Sequence, residues 1–195
     1  GFCFGGVVDV ITICNLALSY LGDAATVSSI DPPEGSVQAE HCARFYPQAL
    51  RSLLALHRWG FATRSGRLAR LSAAQGFAFA LPAGMVEMAD VRDGAGRPLP
   101  FSLQDGRILA QQPEAWGVWT VSEVSADDFP PLFAEALAWQ LAAMLSGALL
   151  KGDAGAAMAQ RCLQMVSVYL PKAREADANQ HREMTAHRVP WMEGR

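Results

Sequence analysis

The residues of this chain best equipped for chemistry stand together in "LHRWGFATR", residues 56–64. The stretch holds an imidazole, two guanidiniums, an indole and a phenyl ring, a set suited to proton transfer, anion binding or stacking. For His57 to act as a general base, a nucleophile and an orienting carboxylate must lie within hydrogen-bond reach. The sequence offers His57 no such partner. The other histidines, His41, His181 and His187, are scattered. His41 and Cys42 are adjacent, so on a helix they diverge instead of chelating one ion as an i, i+4 pair does. The catalytic templates are missing: there is no GxSxG elbow, no phosphate-binding P-loop, no GxGxxG after a strand and no HExxH. Asp127 and Asp128 suit a helix start, where the macrodipole favours negative charge, and Glu87 and Asp90 suit a solvated sheet face. No catalytic dyad, metal site or cofactor is expected.

A basic set also stands out. Arg44, Arg51 and Arg58 are spaced by seven and would lie along one stripe of an unbroken helix. Arg64, Arg67 and Arg70 follow at intervals of three. Either these are solvated residues with snorkelling stems, or Arg51, Arg58 and Arg64 face a neighbouring subunit or DNA, where guanidinium forks pair with carboxylates or phosphates. The formal net charge of −3 argues against a protein that coats nucleic acid. Trp59 and Phe61 sit where a helix hands over to a sheet and read as core anchors, since a stacking platform wants aromatics interleaved with lysine. A polar cleft around Trp59 would also suit a small-molecule-binding or hydrolytic α+β domain.

The elements that must position these groups follow from periodicity. A chain of 195 residues, 51% hydrophobic and 18% charged, can bury a real core within one domain plus an insertion. "DVITICNLALSYLG" repeats apolar residues at helical spacing and ends on Gly22. A second helix is expected over residues 37–59, capped by Ser36 and interrupted near Arg44 and Phe45 by Pro47. After Gly60 the period shortens. "GFAFALP", "MVEMADV", "LPFSL", "RILAQ" and "WGVWTVSEV" alternate like strands, and Asp105–Gly106 is a hairpin signal. They predict one antiparallel sheet of about four strands over residues 76–125. A third helix starts at "SADDFPP", with Asp127 or Asp128 as its cap, and a fourth runs through "AGAAMAQRCLQMVSVYL" until Pro171 interrupts it. The last dozen residues carry no period. The expected fold is therefore α+β: a bundle of about four helices from residues 1–60 and 126–183, a small antiparallel β-sheet at 61–125 inserted between helices two and three, and an extended tail at 184–195.

Cys3, Cys14, Cys42 and Cys162 form no CxxC pair and read as small buried hydrophobes in a reducing compartment. The charge-free run over residues 136–150 is shorter than the roughly 20 residues of a bilayer span. A soluble protein without a membrane partner is expected.

The order of these features resembles the phage head-to-tail adaptors of the podovirus tail tubular protein A type. "ICNLALSYLGDAATVSSIDP" is similar to that family's opening helix and Ser-Ile loop. "SVQAEHCARFYPQALRSLLALHRWGFATRSGRLA" is similar to its second helix, closing on a "WxFA" element. "DDFPPLFAEALAWQLAAMLSGAL" resembles its third helix, and "AREADANQ…PWMEGR" its last helix and tail. Trp119 stands where Tyr is expected. The resemblance spans nearly the whole chain and implies a structural virion protein without enzymatic activity. It implies a homo-oligomeric ring, commonly a dodecamer, between portal protein and tail nozzle or tail tube, with DNA passing through its lumen during genome ejection. It further implies assembly in the host cytoplasm and docking of the tail on the portal through His187, Arg188, Pro190 and Trp191.

Overall fold

The first helix, α1 (Val10–Tyr20), carries no charged residue and begins where the Asp9 carboxylate accepts the Thr12 N–H at 2.6 Å. The Thr12 hydroxyl, and with it this N–H, holds the Asp9 carboxyl below its usual range. Ile13, Cys14, Ala17 and Leu18 fall on one face and are buried. These observations come from a computed structural model that describes residues 9–24, 26–72 and 76–180.

Helix α2 (Val37–Leu54) starts where Ser36 Oγ accepts the Ala39 N–H at 3.1 Å. It runs through Pro47 without the expected interruption. Pro47 is exposed, so the carbonyl whose partner the ring removes can turn to water. The helix also stops earlier than its periodicity suggests. Trp59 Nε1 donates to the Leu53 carbonyl at 2.9 Å, which closes the helix end, and Arg58 lies beyond it.

Helix α3 (Pro131–Leu149) has Pro131 in its first turn, where no intrahelical N–H is missed, and no side-chain cap. Asp127 and Asp128 do not cap it: they form a 3-10 turn, Ala126–Asp128, itself capped by Ser125. α1, α2 and helix α4 (Asp153–Gln180) all pack on α3. By length and composition alone α3 is apolar enough to cross a membrane; here its apolar sides are what the other helices cover. α4 continues past the exposed Pro171 without a break. The bundle core includes Ile13, Leu18, Leu53, Leu54, Trp59, Phe133, Leu137, Leu141 and Leu145. Within it the free thiol of Cys14 hydrogen-bonds Cys42, and that bond together with burial pushes the Cys14 thiol far above its usual range.

The single small sheet expected from the sequence is not what forms. Among the described residues, seven strands build two antiparallel sheets between α2 and α3, with a hydrophobic core of their own. In chain order these are β1 (Thr63–Arg67), β2 (Arg70–Leu71), β3 (Phe77–Ala80), β4 (Met85–Arg92), β5 (Phe101–Gln104), β6 (Arg107–Ala110) and β7 (Trp116–Val121). One sheet has the order β1-β7-β4 and the other β2-β3-β6-β5.

Two bent strands join them. Residues 63–68 pair with the β7 region and residues 69–71 with β3, through Leu68 N–H to Ala115 O and Ala80 N–H to Ala69 O. Residues 97–99 pair beside β4, through Leu99 N–H to Val91 O, and lead into β5 beside β6. The sheets therefore wrap around Leu68, Phe79, Met88, Val91, Ile108, Ala110 and Ala115 as a partly open barrel. Asp105 and Gly106 take φ of 50° and 69°, which closes the β5–β6 hairpin. Gly66 and Gly117 lie opposite one another in register, and a Cβ on Gly117 would meet Leu68 Cδ2 at 2.8 Å, with Met88 Sδ and the Trp119 ring at 3.3 Å. β1 and β2 escape the sequence reading because TRSGR and RL, with three arginines, a serine and a glycine, show no apolar alternation or β-branched run.

Candidate functional site

The stretch 56–64 forms the junction between bundle and barrel. Past the end of α2 the chain turns on Trp59 N–H to His57 O at 3.0 Å and Ala62 N–H to Trp59 O at 3.2 Å, then enters β1. Trp59 is fully buried. Its ring meets Phe133 edge-on at 4.8 Å and Phe61 at 5.9 Å, and Phe61 extends the cluster to Phe129 and Phe133 at 5.5 and 4.9 Å. Quadrupole geometry favours such tilted pairs over flat sandwiches. The junction is an aromatic plug.

The structure supplies His57 with the partner that the sequence did not reveal. Asp177, on α4, sits 120 residues later with its carboxylate 3.2 Å from His57 Nε2. Its two oxygens lie 3.1 and 3.3 Å from the Gly60 N–H, which donates to them. One helical turn earlier, Arg174 donates from Nη2 to the Leu56 carbonyl at 2.8 Å. Asp177 is almost completely buried, whereas the His57 side chain is 28% exposed. α4 is thus tied at two points to the turn that ends α2.

His57, Arg58, Gly60, Thr63, Asp177 and Ala178 line a half-open depression of about 420 Å³. Chemically, a histidine oriented by a carboxylate is part of a general-base arrangement. The hydroxyl on this lining, Thr63 Oγ1, donates to the Trp59 carbonyl at 2.6 Å, and the Asp177 carboxylate accepts a backbone N–H. Both groups are engaged in holding the turn.

Replacing Asp177 with Ala should lower stability by about 2 kcal/mol, because the Gly60 N–H is left without its carboxylate and His57 loses its partner. Thermal unfolding should report a Tm lower by roughly 4–8 °C for a chain of this size. An unchanged Tm would show that the tie carries no stability.

The arginines separate. Arg51 lies exposed in the last turn of α2, and Arg58 lies exposed on the depression. Arg64 is exposed on β1, with Nη1 donating to the Phe61 and Thr63 carbonyls at 3.0 Å each. The spacing of three in Arg64, Arg67 and Arg70 makes no strip, since residues an odd number apart on a strand point to opposite faces. Arg67 instead pairs with Glu114 at 2.5 Å, and Arg70 lies over the Phe77 ring at 4.7 Å. His41 stacks on Phe45 at 6.1 Å, and no group of metal-ligating side chains exists among the described residues. His187, Arg188, Pro190 and Trp191 lie outside the described residues.

Asp177 is the residue that sequence reasoning missed. Its one signal is an aspartate in the last turn of a long helix, on the face shared with Ala173 and Val166. Comparison with protein-family models and with curated proteins finds no match to this chain.

Proposed function

We propose that this protein is a structural adaptor of a phage-like particle: a subunit that assembles into a ring between portal protein and tail nozzle or tail tube, with DNA passing through the lumen. It has no enzymatic activity and takes its place in the virion after assembly in the host cytoplasm. The observation that carries this reading is the outward side of α4. This helix lies on α3, and from residue 154 to 171 its sole charge is Arg161. Leu163 and Val168 stand 49% and 46% exposed on it, beside Ala156, Ala157, Gln160 and Ser167. A long, largely apolar helix face with the single exposed charge of Arg161 is suited to burial against another subunit. The ordered resemblance to tail tubular adaptors along the chain supports the same reading.

Arg51, Arg58 and Arg64 are exposed and suit a neighbouring subunit or the DNA channel, where screened contacts with phosphate let DNA slide without sequence readout. The His57–Asp177 pair favours the rival reading of a hydrolytic cleft. Against it stand the Thr63 hydroxyl and the Asp177 carboxylate, both committed to backbone groups of the turn.

The test is reconstitution. Purified protein mixed with its portal should give rings capping the portal in cryo-EM, with a matching mass by light scattering. A chain that stays monomeric and leaves the portal bare would overturn the adaptor reading.

A further inference from the structure

Where α1 packs on α3, one carboxylate is held in place without a cation. The Tyr20 hydroxyl donates to Glu135 Oε1 at 2.5 Å, and Trp139 Nε1 donates to the same oxygen at 3.2 Å. The Tyr20 and Trp139 rings lie stacked, 3.6 Å between centroids and 7° from parallel. Burial and the bond to Glu135 push the Tyr20 hydroxyl above its usual range, so it remains a donor. All three side chains are half-buried.

The two helices that carry the site add no other charge; Tyr20 also has Tyr169 of α4 as a neighbour, with Lys172 Nζ 5.7 Å from that ring's centroid. α1 bears no charge, Glu135 is the one charged residue of α3, and Leu16, Leu132 and Ala143 continue the same helix faces at spacings of three and four. Among the described residues no Arg, Lys or His pairs with Glu135. Two neutral donors fix the orientation of a carboxylate but leave its charge uncompensated. A fixed carboxylate beside a flat aromatic stack matches a guanidinium, whose fork binds the oxygens and whose plane covers a ring.

The complementary group stands elsewhere on the same chain. Arg44 and Arg51 are exposed on α2, and neither has a carboxylate partner among the described residues. Seven residues apart, they lie on one face about 10 Å from each other along the helix.

We propose that the Tyr20–Glu135–Trp139 site receives a guanidinium from the Arg44–Arg51 face of a second copy of this chain. The site is incomplete without that copy. Donor face and acceptor site are different surfaces, so the contact is head-to-tail and each copy gives one and receives one. The proposal rests on the ring reading above and names the contact within it.

Charge exchange on the full chain, with portal present, provides the test. Glu135→Arg and the double variant Arg44→Glu/Arg51→Glu should each raise the concentration needed for rings about tenfold or more. An equimolar mixture of the two should restore assembly, because the new arginine of one copy meets the new glutamates of the other, while the native pair remains intact at the alternate contacts. Circular dichroism melts verify folding. Should Glu135→Arg fail to fold, Glu135→Gln keeps acceptor capacity for Tyr20 and Trp139, removes the charge, and should weaken assembly in the same direction.

Variants that assemble as wild type, or a mixture that fails to restore rings, would sink the contact while leaving the ring reading standing. Rings that persist but no longer bind portal would place the portal at Glu135 and overturn a second copy as occupant. Wild-type protein that forms no ring with portal would overturn both.

Discussion

Replacing Trp59 with Ala should cost about 4 kcal/mol of stability, the largest loss expected from any single truncation at the junction. The indole is fully buried against Phe133 and Phe61, and its N–H takes the Leu53 carbonyl at the end of α2. Truncation would therefore open a cavity and strip the indole donor from a helix-terminal carbonyl that keeps the Leu56 N–H at 3.2 Å, two penalties that add. Denaturant unfolding followed by far-ultraviolet circular dichroism gives the value. Trp59→Phe separates the two terms: it keeps much of the ring packing, removes the N–H, and should cost about 1–2 kcal/mol through the hydrogen bond. A loss below about 1 kcal/mol for the alanine variant would mean that the junction repacks and that the aromatic plug is not what joins the bundle to the barrel.

Gly155→Ala should destabilise the protein by about 3 kcal/mol or more. A Cβ at this position would lie 1.9 Å from the Leu150 carbonyl oxygen and 3.0 Å from that of Ser146. Both neighbours are backbone, so no side-chain rotation relieves the clash. The turn between α3 and α4 would have to open, and α4 would shift on α3, which is the surface it packs on most extensively. Gly147→Ala is the matched control: its Cβ would meet nothing within 4 Å, and alanine favours helix by up to about 1 kcal/mol, so that variant should be neutral or stabilising. Comparable melting of the two variants would contradict the close α3–α4 approach.

The helices were largely legible because their evidence is local. Apolar residues at i, i+3 and i+4, Ser36 as a cap and Pro131 in a first turn are properties of neighbouring residues. The β5–β6 hairpin was legible for the same reason, since Asp105–Gly106 suits the positive φ that both residues adopt. Where competing local signals met tertiary contacts, the contacts prevailed. Pro47 suggested a break in α2, yet the helix continues with the proline on its exposed side. "TRSGR" and "RL" lie outside the sheet expected over residues 76–125, yet backbone pairing with β7 and β3 makes them strands and turns the expected small sheet into two.

By itself the sequence determined the helical segments, the later strand-like ones from β3 to β7, the change of period after α2, and the lack of any familiar catalytic motif. Its arginines, histidine and tryptophan were visible as a group, but not their partners. The tertiary structure alone decided that Asp177 meets His57 and Gly60 across 120 and 117 residues, and that Tyr20 and Trp139 converge on Glu135. Periodicity records which face of an element is apolar, a matter of neighbours in sequence. Which two faces meet depends on how the helices pack around α3 and how the bent strands close the barrel, and no spacing within either segment encodes that.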